Sequence, residues 1–128
     1  MGCLPQRWPV WLRPELVDMD GPALGPFPSS HQITKDGRIV LVPTPGHVKG
    51  HMSVIVRADG VTCFLAGDAT YSEANLLAEK TDGVTNNPAE ALAPLRAIKR
   101  FAEQEPTVLL PAHDPEATAR LASGSLLA

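Results

Sequence analysis

The 128-residue sequence has little of several residue types on which large protein classes depend. Two cysteines, Cys3 and Cys63, are too few for a disulfide framework, so we expect Cys63 to be a reduced thiol in a buried strand. The formal net charge of −3 gives no basic surface for a nucleic acid or an anionic membrane. No apolar run approaches the length of a membrane span. We also find no basic segment followed by an apolar core, which is the pattern of a signal peptide. We therefore expect a cytoplasmic protein.

Proline is unevenly distributed along the chain. Six of the 13 prolines stand within residues 1–30, a density that forbids a long helix or a paired strand. We predict an irregular, proline-rich arm over residues 1–30 and a folded unit over residues 31–128. The arm contains both tryptophans, Trp8 and Trp11. We expect them to be packing anchors, because an indole ring buries a large area wherever it docks.

Turn and capping signals divide the remaining sequence into short elements. The pairs Asp36-Gly37 and Asp59-Gly60 predict hairpin turns between apolar runs. Asn87, Pro88 and Glu90 form a helix start, with a cap, a first-turn proline and an acid. We predict strands over residues 33–34, 38–42, 51–57, 61–66 and 107–110, helices over 71–79, 88–102 and 116–122, and a buried helical stripe of Leu92, Leu95, Ile98 and Phe101. This order predicts a mixed sheet with helices on one face, in the α+β or α/β class.

Polar side chains of metal-ligand type stand near the ends of apolar runs. His51 closes the turn Pro45-Gly46-His47-Val48-Lys49-Gly50-His51, while Asp68 and His113 each follow a predicted strand. Imidazole nitrogen and carboxylate oxygen are ligands for Zn²⁺, and the two oxygens of Asp68 can bridge two ions. We expect these side chains to meet at one rim of the sheet. The structural alternatives are surface histidines in an ordinary turn and Asp68 as a cap or turn residue.

The same motifs carry a family resemblance. Thr44-Pro45-Gly46-His47-Val48-Lys49-Gly50-His51, Gly67-Asp68-Ala69 and Pro111-Ala112-His113-Asp114 resemble, in order and spacing, the second half of a metallo-β-lactamase-superfamily hydrolase. Residues 67–75 and the helix over 88–102 look most like the N-acyl homoserine lactone lactonases. The resemblance runs from about residue 37 to residue 120. It implies half of an αββα sandwich, with residues 31–128 as the C-terminal half of the family's domain.

The resemblance also implies a role for each matched residue. His51 matches a histidine ligand of the first of two zinc ions, His113 matches a ligand of the second, and Asp68 matches the carboxylate that bridges them. Tyr71 matches the tyrosine whose hydroxyl points at the substrate carbonyl in such lactonases, although this sole tyrosine can also be a packing residue. His47 matches a histidine that is not a ligand. The implied reaction opens the lactone ring of N-acyl homoserine lactones, as in quorum quenching, with Asp68 and Tyr71 as catalytic residues.

One part of the family pattern is absent from the sequence. The sequence contains no His-x-His-x-Asp-His motif. The remaining histidine, His31, has no neighbours of ligand type, so we expect His31 on the surface. Three donors cannot complete two zinc sites, since each ion normally takes four ligands. We therefore expect a fragment of a hydrolase domain, with a bare apolar sheet face that binds a missing N-terminal half or a second copy. The alternatives are a non-catalytic binding or dimerisation module and a glyoxalase II-like thioester hydrolase.

Overall fold

The computed structural model describes residues 4–85 and 87–127, and within these it contains one sheet and three α-helices. The elements are β1 (His31–Gln32), β2 (Ile39–Pro43), β3 (Met52–Ala58), β4 (Val61–Gly67), α1 (Glu73–Leu77), α2 (Pro88–Gln104), β5 (Thr107–Pro111) and α3 (Ala117–Ser123). The strands lie side by side in chain order. Neighbours are antiparallel from β1 to β4, while β5 runs parallel to β4. The predicted mixed α/β architecture is confirmed.

Helix α2 begins as the sequence predicts and covers the inner face of the sheet. The Asn87 side chain accepts a hydrogen bond from the Glu90 amide at 3.2 Å, which caps the first turn. Leu95, Ile98 and Phe101 are fully buried and belong to the same core cluster as the sheet residues beneath them, whereas Leu92 is only partly buried. Within the described ranges, no helix combines the length and the apolar character needed to cross a membrane.

Strand β1 lies two residues earlier than predicted. Its paired residues are His31 and Gln32, whereas we expected residues 33–34 to form the strand. The Thr34 side chain accepts a hydrogen bond from the Ile39 amide, and the Thr34 carbonyl accepts one from Gly37. The turn therefore occupies residues 34–37 and displaces the ladder towards the N-terminus. The prediction of a strand at 33–34 was wrong because it did not allow for this side-chain bond.

Phe27, and neither tryptophan, anchors the first thirty residues to the core. Trp8 is 37% exposed and Trp11 is 75% exposed, so the expectation that they are packing anchors was wrong. Phe27 is 1% exposed and its ring lies 5.8 Å from the ring of Phe64 and 6.0 Å from that of Phe101. A backbone bridge between Gly21 and Ser30 closes the loop that presents Phe27. The proposed division between an arm and a folded unit at residue 30 stays a prediction.

The face of the sheet opposite α2 is apolar, and we call it the outer face. The strand register places Leu41, Val54, Leu65 and Leu110 in one cross-strand row. The neighbouring row contains Ile39, Val56, Cys63 and Val108. Leu65 is 39% exposed on this face. Cys63 is a free, partly exposed thiol, while Cys3 lies outside the described residues.

Candidate active site

The strand directions bring three loops to one edge of the sheet. Strands β2 and β4 are both antiparallel to β3, and β5 is parallel to β4, so the carboxyl ends of β2, β4 and β5 share an edge. His47 lies in the loop after β2, Asp68 directly after β4 and His113 two residues after β5. This topology places polar residues from distant parts of the chain side by side.

The carboxylate of Asp68 lies between two imidazole rings. Its Oδ1 atom is 2.9 Å from Nε2 of His113, and its Oδ2 atom is 3.6 Å from Nε2 of His47. The ring of Tyr71 meets that of His113 edge-on at a centroid distance of 4.8 Å, and that of His47 at 6.2 Å. We call His47, Asp68, Tyr71 and His113 the Asp68 cluster. Three of its members, Asp68, Tyr71 and His113, were expected from the sequence.

One oxygen of Asp68 is buried without a hydrogen-bond partner in the described part of the chain. Although His113 Nε2 lies 2.9 Å from Oδ1, the approach does not have hydrogen-bond geometry. A buried, unsatisfied carboxylate oxygen carries a large desolvation cost unless a cation or donor balances it. The arrangement therefore favours a positively charged ligand between the carboxylate and the histidines.

Asp82 holds His47 from the side opposite Asp68. The Asp82 carboxylate contacts Nδ1 of His47, and its side chain is only 6% exposed. Its other oxygen accepts hydrogen bonds from the amides of Val84 and Thr85. Burial raises the pKa of Asp82, but these hydrogen bonds together lower it below its ordinary value. Sequence reasoning missed Asp82, because an isolated Asp-Gly in a polar loop carries no signal of a distant histidine.

His51 lies behind the cluster and uses both ring nitrogens within the protein. Its Nδ1 is 2.9 Å from the Thr44 hydroxyl, and its Nε2 accepts a hydrogen bond from the backbone amide of Asp68 at 3.1 Å. Burial lowers the pKa of His51 more than the negative charge of Asp68 raises it. This geometry disfavours the expected role of His51 as a metal ligand, since no lone pair is left for an ion. His47, which matched a histidine that is not a ligand, faces the carboxylate of Asp68 instead.

Two glycines allow the close approaches that this site requires. Gly46 has φ = 150°, and a Cβ atom there would lie 2.8 Å from the Cα atom of Ala91 in α2. Gly67 has φ = 58°, and a Cβ atom there would lie 3.0 Å from Nε2 of His51. A side chain at either position would push the histidine loop away from its support.

An ion-pair network fixes the loop that carries His113. The Arg120 side chain is 9% exposed and donates to the carboxylate of Asp114 at 3.2 Å, while its Nε lies 2.8 Å from Glu73. The Asp114 carboxylate also accepts a hydrogen bond from the backbone amide of Glu73 at the start of α1. Burial raises the pKa of Asp114, but the hydrogen bonds from Glu116, Glu73 and Arg120 lower it below its ordinary value. The network ties the His113 loop, α1 and α3 together, and no sequence pattern indicated this role of Arg120.

The donors of the Asp68 cluster fit part of a metal site. Their chemistry, two imidazoles and a carboxylate with an unsatisfied oxygen, is that of a zinc ligand set. Within residues 4–85 and 87–127, however, no three His, Cys, Asp or Glu side chains form a group that could hold a metal ion. The remaining histidine, His31, lies in β1 and bonds the carbonyl of Asp18. The described residues alone therefore do not form a complete metal site.

A family model described as the metallo-beta-lactamase superfamily matches residues 5–113. The chain belongs to the metallo-beta-lactamase superfamily. An N-acyl homoserine lactonase, AttM of Rhizobium radiobacter, is 26% identical, and the match covers 80% of this chain and 41% of AttM. AttM of Agrobacterium fabrum (strain C58 / ATCC 33970) matches to the same extent. The chain thus spans about two fifths of the length of these curated relatives.

Solved structures of lactone hydrolases share the fold of this chain. An N-acyl homoserine lactone hydrolase, with N-hexanoyl-L-homoserine at its catalytic metal centre, has a TM-score of 0.62 at 24% identity. That match covers 70% of this chain and 35% of the hydrolase. A quorum-quenching N-acyl homoserine lactone hydrolase has a TM-score of 0.56 at 28% identity, with 62% and 33% of the two chains covered. The fold is therefore a part of the metallo-beta-lactamase α/β fold.

Proposed function

We propose that this chain supplies one part of a metal-dependent hydrolase site that opens the lactone ring of N-acyl homoserine lactones. The convergence of His47, Asp68, Tyr71 and His113 at one sheet edge carries the proposal. The likeness to N-acyl homoserine lactonases supports the choice of substrate. Under this proposal His47, Asp68 and His113 contribute ligands to a zinc site that further residues complete, with His47 taking the place that the sequence suggested for His51.

Bound zinc supplies Lewis acidity and a water molecule of near-neutral pKa. The residues of this chain then bind and orient the substrate. Burial and the negative charges of Asp82 and Asp68 raise the pKa of Tyr71, so its hydroxyl stays protonated and donates a hydrogen bond to the lactone carbonyl. Asp68 is placed to accept a proton from water as it adds to that carbonyl. Asp68 returns this proton to the ring oxygen as the acyl C–O bond breaks, so the carboxylic acid and the alcohol of an N-acyl homoserine are formed.

The missing ligands and the apolar outer face point to one partner surface. Three donors leave two zinc sites incomplete, and the outer face exposes apolar side chains such as Leu65. We propose that the first half of the family's domain covers this face and brings the other ligands, as expected for a fragment. A second copy of the chain is the alternative occupant. A cytoplasmic location also stays a prediction.

A non-catalytic binding module is the second candidate function. The observation that favours it is the lack of a three-residue metal-binding group among the described residues. Such a module would keep the scaffold and the apolar outer face without turnover. The two candidates differ in what they require of zinc, because only the hydrolase needs it.

Zinc content and hydrolysis of the purified chain test the proposal. We expect zinc to bind and N-hexanoyl homoserine lactone to be opened slowly, as measured by metal analysis and a pH-drop assay. Asp68→Asn should abolish both, whereas Tyr71→Phe should keep zinc and lower kcat by about 100-fold. His31→Gln serves as the control, since His31 lies outside the cluster. An absence of zinc and of turnover would favour the binding module, and faster cleavage of a thioester would favour the glyoxalase II-like alternative.

The fragment proposal has a separate test in the genome. Reading the DNA upstream of the first codon should reveal an in-frame His-x-His-x-Asp-His motif. Expression from that upstream start should then give stoichiometric zinc and full lactone turnover. An upstream frame closed by stop codons, with no such motif nearby, would contradict this part of the proposal.

A further inference from the structure

A chain of hydrogen bonds behind the Asp68 cluster has only one possible direction. A backbone amide can only donate, so Nε2 of His51 accepts from Asp68 and carries no proton. The proton of the neutral ring is then on Nδ1, which donates to the Thr44 hydroxyl at 2.9 Å. Because Ser53 donates its own hydroxyl proton to the Ala66 carbonyl at 3.1 Å, Thr44 donates to Ser53 at 2.9 Å. Every proton in the chain is therefore placed.

We call this chain of hydrogen bonds through His51, Thr44 and Ser53 the relay. It bridges the two sides of one turn. It begins at the carbonyl of Ala66 and ends at the amide of Asp68, the residues that flank Gly67. Gly67 has a left-handed backbone with φ = 58°, and the Ala69 amide also bonds the Ala66 carbonyl. The direction in which Asp68 leaves the strand is thus set by bonds on both sides of this glycine.

The relay residues are buried, and their burial makes the bonds hard to replace. Thr44 and Ser53 are both 0% exposed, so water has no access to their hydroxyls. A buried donor or acceptor that loses its partner costs more free energy than the bond itself contributes. The relay also joins three separate parts of the sheet edge, namely the ends of β2 and β4 and the start of β3.

We propose that His51 is a positioning residue, which with Thr44 and Ser53 fixes the Asp68 peptide and so aims the Asp68 carboxylate at His47 and His113. The inference rests on the proposed function for its chemical purpose, although the relay itself is a property of the fold. His51 acts in its neutral form, with its proton on Nδ1. It touches neither the substrate nor an ion.

Nuclear magnetic resonance of the full 128-residue chain tests the relay without metal or substrate. We expect the ring nitrogen shifts of His51 to show the Nδ1–H tautomer and the Asp68 amide to exchange slowly with solvent. Thr44→Val removes the acceptor of His51 and should speed that exchange by about tenfold or more. Thr44→Ser keeps the hydroxyl and should restore slow exchange. An Nε2–H tautomer, or unchanged exchange in Thr44→Val, would overturn the relay.

A second measurement separates positioning from mere packing. His51→Leu should weaken Zn²⁺ binding by tenfold or more in calorimetry, while His51→Gln, which can still accept from the Asp68 amide, should recover most of the affinity. His31→Leu should have no effect. Equal zinc affinity in His51→Leu and the unmodified chain would overturn the positioning role. If the unmodified chain binds no zinc, the proposed function fails, and the tautomer and exchange data still decide the relay.

Discussion

Asp82 acts on the site through its contact with His47. Its carboxylate meets Nδ1 of His47, which leaves Nε2 directed at Asp68. A carboxylate behind a histidine fixes the tautomer of the ring and increases the basicity of the opposite nitrogen. Asp82 is itself held by the amides of Val84 and Thr85, so its side chain links the loop after α1 to His47.

We expect Asp82→Asn to weaken zinc binding by about tenfold, because the neutral amide supports the His47 ring less well. Isothermal calorimetry with ZnCl₂ measures the change. Asp36→Asn is the matched control, since its side chain is 59% exposed and lies in the β1–β2 turn. Equal affinities for Asp82→Asn and the control would show that the contact does not orient His47.

Sequence could select the residues of the site but could not assign their roles. His47 and His51 stand in the same turn, four residues apart, and their spacing does not indicate which of them is a metal ligand. The contacts of their ring nitrogens distinguish them. Nε2 of His47 faces the carboxylate of Asp68, whereas the nitrogens of His51 bond a backbone amide and a hydroxyl. Those partners come from residues 44, 68 and 82, and only the folded chain brings them together.

At the scale of elements, the aromatic contact of Phe27 joins the first segment to the sheet and α2. Its ring stacks on Phe64 at an angle of 22° and meets Phe101 at 51°. Aromatic groups of this kind contribute both buried area and favourable ring geometry. The segment before β1 therefore contributes the buried ring of Phe27 to the core, with Leu24 packed against the same cluster.

Phe27→Ala should lower the free energy of unfolding by about 3–5 kcal/mol, because it leaves a large cavity between the sheet and α2. Urea denaturation followed by circular dichroism measures the loss. Trp11→Ala removes a larger ring that is 75% exposed and should change stability by less than about 0.5 kcal/mol. A similar loss in both variants would mean that Trp11 packs more closely than the structure indicates.

Elements with strong local signals were predictable, and those set by distant contacts were not. The cap at Asn87 and the stripe over Leu95, Ile98 and Phe101 are local patterns, and both are present. Strand β1 was misplaced because the Thr34 side chain, rather than the Asp-Gly pair alone, decides the turn. Phe27 was overlooked because its partners lie in β4 and α2.

At the scale of the whole molecule, one ion pair closes the end of the sheet opposite the Asp68 cluster. Arg57 in β3 donates two hydrogen bonds, at 2.7 and 2.8 Å, to Glu105, which caps the C-terminus of α2 two residues before β5. The hydrogen bonds from Arg57 lower the pKa of Glu105 more than burial raises it, and Thr62 lowers it further. Two residues far apart in sequence thus hold β3 and β5 around β4.

The pKa of Glu105 predicts how stability depends on pH. Since it is lower in the folded state than the ordinary 4.5, the ionised side chain stabilises the fold above that pH. This contribution is lost as the pH falls through the folded-state pKa. Glu105→Gln should therefore cost about 1 kcal/mol at pH 7 and progressively less below pH 4.5, as measured by urea denaturation.

The exposed neighbour Glu103 provides the comparison for this pair. Glu103→Gln should leave stability nearly unchanged at both pH values, because a solvated carboxylate contributes little. A loss in Glu105→Gln that persists unchanged at pH 3 would show that packing, rather than ionisation, explains the effect.

The global arrangement was only partly accessible from sequence. The meander from β1 to β4 follows from short turns, since each connection leaves little choice of neighbour. The position of β5 does not follow, because residues 68–106 are long enough to return to either side of the sheet. The sequence also offered no way to predict that Arg57 and Glu105 would meet.

The parallel pairing of β4 with β5 has a consequence for how the chain reaches this state. Strands β2 to β4 can pair as soon as their turns form, but β5 must wait until the long connection through α1 and α2 has closed. Until then β4 is an open edge, with unpaired amides and carbonyls beside exposed leucine. During refolding this edge is a template for strands of other molecules, so the yield of native protein should fall steeply as the chain concentration rises.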